Sequence, residues 1–316
     1  MLLDIKEKLR NSEMPIRKKM VKMGTIKEGT VESTPVVWQD RLLRFEWVRS
    51  NDWGKNHGDR ADGYYNFVDF ETEEVVGTPF AHKHAFGCCY EENGVMYAHG
   101  VRGNAGATNV IDVFWSEDLA NWESQTALTI PEELKIYNTS VCKGENGYIM
   151  CVEVSGPERL IGKNFSILFA KSENLLDWEL LPIEDYNYIP DRYSACPSIR
   201  YFDGMYYMVY LEIAPLYRLV PYIVRSKDLV EWEGGLFNPF MWIDDDDKKI
   251  AHPERFTEEE IDKIKKAVDN NNSDVDFCEY RGETYIVYSW GNQLGTEYLA
   301  YAKYDGSLEE FLKSFF

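Results

Sequence analysis

Residues 196–213 read CPSIRYFDGMYYMVYLEI. A short apolar strand runs into a polar turn at Asp203–Gly204, and a longer strand rich in aromatic and aliphatic residues follows. Glycine at such a turn supplies the positive φ that a tight hairpin demands. The same strand–turn–strand unit recurs at 34–49 (TPVVWQDRLLRFEWVR), 86–102 (FGCCYEENGVMYAHGVR), 139–155 (TSVCKGENGYIMCVEVS) and 275–292 (VDFCEYRGETYIVYSWGN). Gly94, Gly147 and Gly282 take the turn position in three of these, and Asp40 takes it in the first.

A second element follows each hairpin. It reads VFWSEDLANWE at 113–123, LFAKSENLLDWE at 168–179 and IVRSKDLVEWE at 223–233. YYNFVDFETEEVV (64–76) takes its place in the first copy and YAKYDGSLEEF (301–311) in the last. The Asp or Asn after the Ser reverses the chain into a fourth strand. Trp122, Trp178 and Trp232 then wedge between neighbouring sheets. Five four-stranded antiparallel sheets follow, arranged radially with short protected edges. The predicted fold is all-β: a five-bladed β-propeller over 24–316. Little chain follows Tyr304, so a strand near 24–31 is expected to complete the last sheet and close the ring. Residues 1–23 are expected to form a short helical arm. TEEEIDKIKKAV (257–268) opens with a capping box at Thr257 and Glu260 and reads as a helical insertion.

The chain has 316 residues and a net charge of -20. A nucleic-acid partner calls for a basic face, and an anionic membrane calls for the same, so both are excluded as expectations. Residues 1–25 carry seven basic groups against three acidic ones, which suggests an arm that docks on its own domain or forms a homodimer contact. The six cysteines show no CxxC spacing and read as free thiols. No h-region opens the chain and no apolar run approaches the ~20 residues of a membrane span. A cytoplasmic location is the expectation. The acids of Asp244–Asp247 read as a solvated loop, with a calcium site as the alternative. A structural or pore-bound divalent cation is the one cofactor considered; its ligands are unknown.

In such a ring, loops leading into the first strands and out of the second strands share one rim. They carry Glu32, Asp191, Asp274, Asp276, Glu153 and Glu212. Glycoside cleavage needs two carboxyl groups across the scissile bond, one protonated and one ionised. Crowding pushes their pKa values apart. In SDVD (273–276), Asp274 and Asp276 alternate to one side of the strand start. His82 and His84 share a face, open to metal binding, acid catalysis, a sugar hydroxyl or a purely structural role. Arg49, Arg102, Arg159, Arg192 and Arg218 offer bidentate donors to an acidic sugar, a phosphate or the rim acids. Asp52 and Trp53 lie in the first outgoing loop, and Trp53 and Trp290 offer stacking surfaces. No Gly-rich phosphate loop, GxSxG, HExxH or kinase motif occurs.

The hairpin of 196–212 and the S-x-D-L-x-x-W turns SEDLANW (116–122) and SKDLVEW (226–232) resemble those of the five-bladed propeller glycoside hydrolases of families 43, 32 and 117. That resemblance covers almost the whole chain beyond residue 30. Family 43 enzymes carry an Asp before the Pro of the first blade; Glu32 is the nearest acid to Pro35 here. The resemblance implies a glycoside hydrolase acting on a short oligosaccharide. Glu32 is expected to be base or nucleophile, and Asp191 or Asp276 the acid. Arg49, Asp52, Trp53, His84, Arg102, Asn138, Glu153, Arg192, Glu212, Asp274 and Trp290 are expected to contact substrate. A glycoside phosphorylase and a non-catalytic carbohydrate-binding propeller are the alternatives.

Overall fold

The computed structural model describes residues 20–49, 63–103 and 106–316. The first strand, β1 (Val21–Glu28), belongs to the last sheet. The first sheet is β2 (Thr34–Trp38), β3 (Arg41–Val48), β4 (Tyr64–Asp69) and β5 (Val75–Phe80). The second is β6 (His84–Glu92), β7 (Val95–Arg102), β8 (Val110–Ser116) and β9 (Glu123–Thr129). The third is β10 (Lys135–Gly144), β11 (Gly147–Ser155) and β12 (Ser166–Ser172), edged by the short β13 (Glu179–Leu180) and β14 (Asn187–Tyr188). Next come β15 (Ala195–Phe202), β16 (Met205–Ala214), β17 (Arg218–Ser226) and β18 (Trp232–Gly234). The chain ends with β19 (Asn271–Tyr280), β20 (Glu283–Gly291) and β21 (Glu297–Tyr304), and β21 pairs with β1. A single parallel pair, Leu219 with Asn271, joins the fourth and fifth units into one eight-stranded sheet.

Each unit is an antiparallel meander, so the hairpin reading of the sequence is realised strand for strand. Gln39 and Asp40, at φ 48° and 61°, turn the first hairpin, and Asp203 and Gly204, at 47° and 74°, turn the fourth. Two successive positive φ values give the turn whose twist matches the strands it joins. The first strands touch in cyclic order, β2 to β6, β10, β15, β19 and back to β2.

The S-x-D-L-x-x-W turn has a physical logic that repeats three times. Asp118 Oδ1 accepts the N–H groups of Ala120 and Asn121 at 2.8 Å each. Asn174 and Asp228 do the same for their own turns. The Trp N–H then closes on the carbonyl of the buried Leu, as Trp178 does on Leu175 at 3.0 Å. This fixes the indole against the preceding sheet. Trp122 stacks on Phe80 at 3.7 Å, Trp178 meets His99 edge-on at 5.4 Å, and Trp232 stacks on Phe169 at 5.8 Å. The wedges therefore join sheets one to four in sequence.

Three expectations shift. The closing strand begins at Val21, so residues 21–23 are strand rather than the end of a helical arm; the unpaired edge of β21 recruits them. The rest of the arm, residues 1–19, lies outside the described residues. Only the first part of YAKYDGSLEEF keeps the repeat: Tyr301–Tyr304 end β21, and then Ser307 and Glu310 form a capping box that starts a helix, Leu308–Lys313. Its Phe311 and Leu312 are buried. The acid run 244–247 receives a cation from the chain itself. Lys22 Nζ donates to Asp247 Oδ2 at 2.8 Å, to Asn272 Oδ1 at 3.0 Å and to Asp244 Oδ1 at 3.3 Å. Tyr288 also donates to Asp247, at 2.7 Å. This buried network ties β1 to the insertion. The insertion helix forms as expected, Glu258–Lys266 with its Thr257–Glu260 box. Among the described residues no helix is long and apolar enough to cross a membrane.

Candidate active site

Every first strand but β2 breaks its pairing register near its start, between Ala85 and Gly87, Ile136 and Thr139, Ala195 and Ser198, and Ser273 and Asp276. Bulges of this kind re-aim side chains. Four non-glycine residues there hold positive φ: Glu32 at 56°, Phe86 at 47°, Cys196 at 47° and Asp274 at 51°. Backbone held this far from its preferred wells costs about 1–3 kcal/mol per residue and persists where the surroundings over-determine it. Residues from the starts of all five units line one mouth, which includes Glu32, Gly87, Asn138, Cys196, Asp274 and Asp276. The mouth encloses a small space of about 30 Å³.

Just below, side chains link the first strands into a polar belt. Ser198 Oγ and Arg200 NH2 both donate to Asp276 Oδ1, at 2.7 and 2.6 Å. Ser140 Oγ accepts the Ile199 N–H at 3.1 Å. Asp276 is therefore committed to a cation and a hydroxyl, and the acid role expected for it finds no support in this geometry.

Glu153, near the end of β11, does not itself line the mouth but bonds two residues that do. It is 2% exposed. Its Oε2 accepts the Cys196 N–H at 2.8 Å and an Asn138 N–H at 3.0 Å. Burial pushes its carboxyl up to about 7; those two donors oppose the rise and nearby Asp274 adds to it. Burial and then the charges of Asp274, Glu153 and Glu32 hold the Cys196 thiol well above its ordinary value. Glu297, which begins β21, is the carboxyl missed from sequence. It is 5% exposed and takes the Gln293 N–H at 2.7 Å. Burial, then Asp274, lifts it to about 8.

The other expected site residues divide clearly. Asp191 sits exposed in the turn before β15 and is not among the residues lining the mouth. Arg192 pairs with Glu212 at 3.2 Å, and Tyr210 donates to Glu212 at 2.8 Å, so these three form a rim brace. His84 Nε2 lies 2.9 Å from Asp112 Oδ2, and Arg102 Nε donates to the same oxygen at 2.7 Å. Burial disfavours the Asp112 charge, but His84 and Arg102 outweigh it and hold the carboxyl at about 2. Asp112 thus orients His84, a role hidden in the sequence because the partners are 28 residues apart. Trp290 is fully buried, stacks on Tyr298 at 4.6 Å and donates to Thr25 at 2.9 Å. It anchors β1 and offers no surface to a ligand. Asp52 and Trp53 lie outside the described residues. Arg49 donates to the Gly29 carbonyl at 2.7 Å. Arg159 pairs with Glu133, and Arg218 donates to Asn270 Oδ1 at 2.6 Å. Among the described residues no group of three or more His, Cys, Asp or Glu is arranged to hold a metal ion.

This architecture has counterparts among solved structures. The protein is similar to a glycoside hydrolase structure, with TM-score 0.65 and 13% identity over 94% of both sequences. It is similar to the GH43_1 enzyme from Xanthomonas citri, with TM-score 0.56 and 12% identity over 92% of this chain and 91% of that one. The fold is that of the propeller glycoside hydrolases. The GH32 β-fructofuranosidase BmSUC1 of Bombyx mori shares it at TM-score 0.58 and 11% identity, over 95% of this chain and 66% of that one. No protein-family model and no curated protein sequence matches the chain.

Proposed function

We propose that the protein is a five-bladed propeller glycoside hydrolase that cleaves a neutral glycoside at the mouth of its ring. The observation that carries this is a mouth lined by Glu32 and Asp274, with the buried Glu153 bonded to two more of its lining residues, Asn138 and Cys196, and lifted to about 7. A carboxyl that keeps its proton near neutral pH is the group needed to protonate a departing glycosidic oxygen. Glu153 takes the acid role, and Glu32, on the mouth in the loop that leads into the first sheet, takes the role of base or nucleophile. Asn138 and the Cys196 N–H orient Glu153 and leave its other oxygen to carry the proton. The similar folds of named glycoside hydrolases favour the same reading.

The rim arginines favour hydrolysis over phosphorolysis. Arg49, Arg102, Arg159, Arg192 and Arg218 each bond a protein oxygen. Binding phosphate or an acidic sugar through them requires breaking those pairs first. The test is incubation with neutral disaccharides and trisaccharides, with and without inorganic phosphate. Free reducing sugar in both conditions is expected. A sugar phosphate formed only with added phosphate contradicts hydrolysis, and binding without turnover supports the carbohydrate-binding alternative.

A further inference from the structure

An indole joins each pair of neighbours among sheets one to four, and the seam between the fifth and first sheets lacks one. In the turn after β4, Asp69 Oδ1 accepts the N–H groups of Glu71 at 3.0 Å and Thr72 at 2.9 Å, as Asp118 does for Ala120 and Asn121. Trp122 follows Asp118 by four residues, and Glu73 follows Asp69 by four. A carboxylate therefore stands at the wedge position. It bonds Arg44 NH1 at 2.8 Å and Arg255 NH1 at 3.3 Å. Phe70, in the place of the buried Leu, meets Tyr285 and Tyr301 of the fifth sheet edge-on at 5.5 and 5.1 Å. With no indole at this seam, a hollow of about 340 Å³ opens there.

The hollow lies on the face opposite the mouth. The hairpin turns at Asp40 and Arg281, which end the first strands of their sheets, form part of its wall, whereas the mouth is lined at the starts of those strands. Phe70, Tyr280 and Tyr285 give it an aromatic side, and the Arg281 guanidinium lies 4.7 Å over the Tyr280 ring. Its charges oppose one another. Arg41 donates to Asp69 at 2.7 Å, and Arg281 donates to Asp40 at 3.3 Å. Arg41 NH1, the remaining Arg281 nitrogens and the Glu71 carboxylate take no hydrogen-bond partner among the described residues. An anion entering here meets the carboxylates of Asp40, Asp69 and Glu71, and a cation meets two guanidiniums. A hydroxyl both donates and accepts, so an uncharged polyol satisfies both kinds of open group. Its C–H groups pack on the aromatic side, as convergent polar groups in an apolar pocket require.

We infer that the hollow at this seam is a second, non-catalytic carbohydrate site, which holds a unit of a neutral saccharide on the face away from the mouth. Its carboxylates are not set up for chemistry. Burial disfavours the Asp69 charge, but the Thr72 and Glu71 N–H groups and Arg41 outweigh it and hold the carboxyl below its ordinary value. Asp69 therefore has no proton to give near neutral pH. The assignment stands apart from the glycosidase reading, because neither the lining nor the charge balance depends on turnover at the mouth.

Two single variants at exposed positions test it. Arg281→Ala removes a guanidinium that is 66% exposed, and Thr72→Trp fills the hollow with an indole. Binding of cellotetraose, xylotetraose and maltotetraose is measured by calorimetry, with tetragalacturonate as the charged probe. Thermal unfolding checks that the variants are folded, and Arg281→Ala carries the test if Thr72→Trp is not. At least one neutral tetrasaccharide is expected to bind the wild-type protein, and each variant is expected to weaken one bound molecule per chain by about tenfold or more. Turnover of any glycoside the wild type cleaves is expected to stay unchanged in both. No neutral tetrasaccharide bound by the wild type, binding unchanged in the variants, or tetragalacturonate binding that the same variants abolish overturns the site. Neutral binding lost in the variants, without turnover by any form, keeps the site and speaks against the glycosidase reading alone.

Discussion

At the scale of residues, the mouth separates carboxyls that hold structure from carboxyls available for chemistry. Asp276 belongs to the first kind. Its partner Arg200 is largely buried, so Asp276→Asn leaves a buried guanidinium without its counter-charge. Breaking such a pair costs about 3 kcal/mol or more. The expected result is a clear fall in the denaturation midpoint, with activity loss that tracks the unfolded fraction. Glu153 belongs to the second kind. Its folded value, about 7, lies above that of an ordinary Glu, so the protonated form required of an acid dominates below about pH 7 and is lost above it. The kcat/KM profile is expected to fall about tenfold per pH unit on that limb. Glu153→Gln removes the limb, which a pH-rate series detects. The sequence displayed Glu32, Asp274 and Glu153 in rim loops, since loop position follows from the repeat. It hid the roles of Asp276 and Trp290, because what neutralises an acid or covers an indole is set by strands far away in sequence.

At the scale of elements, the wedge tryptophans and the closing strand carry the architecture. Trp178 packs on His99 of the preceding sheet and hydrogen-bonds within its own turn. Trp178→Ala removes both and opens a cavity, at a cost of about 3–5 kcal/mol. Thermal unfolding is expected to shift well below wild type; an unchanged midpoint contradicts the wedge. These elements were legible because turn chemistry is local: a Ser, an Asp and a Trp at fixed spacing write the same turn each time. The C-terminal helix was not legible, because its strand-like Phe and Leu residues become helical only when Ser307 and Glu310 cap them against the fifth sheet. The acid run 244–247 was ambiguous for a similar reason. Its cation, Lys22, lies more than 220 residues away in sequence and arrives on the closing strand.

At the scale of the whole molecule, five antiparallel units place their first strands in a ring, and residues at the starts of those strands line one mouth. The proposed chemistry depends on that convergence: Glu32 lies in the loop before the first sheet, Glu153 on the third and Asp274 on the fifth, far apart in sequence. The most direct measurement compares wild type with Glu153→Gln on two glycosides of one sugar, differing only in the leaving group. One carries a poor leaving alcohol and the other an activated phenol. The variant is expected to lose about 10²–10⁴-fold in kcat on the poor leaving group and to stay near wild type on the activated one. Equal losses on both, or none on either, would contradict Glu153 as the proton donor at the centre of the ring.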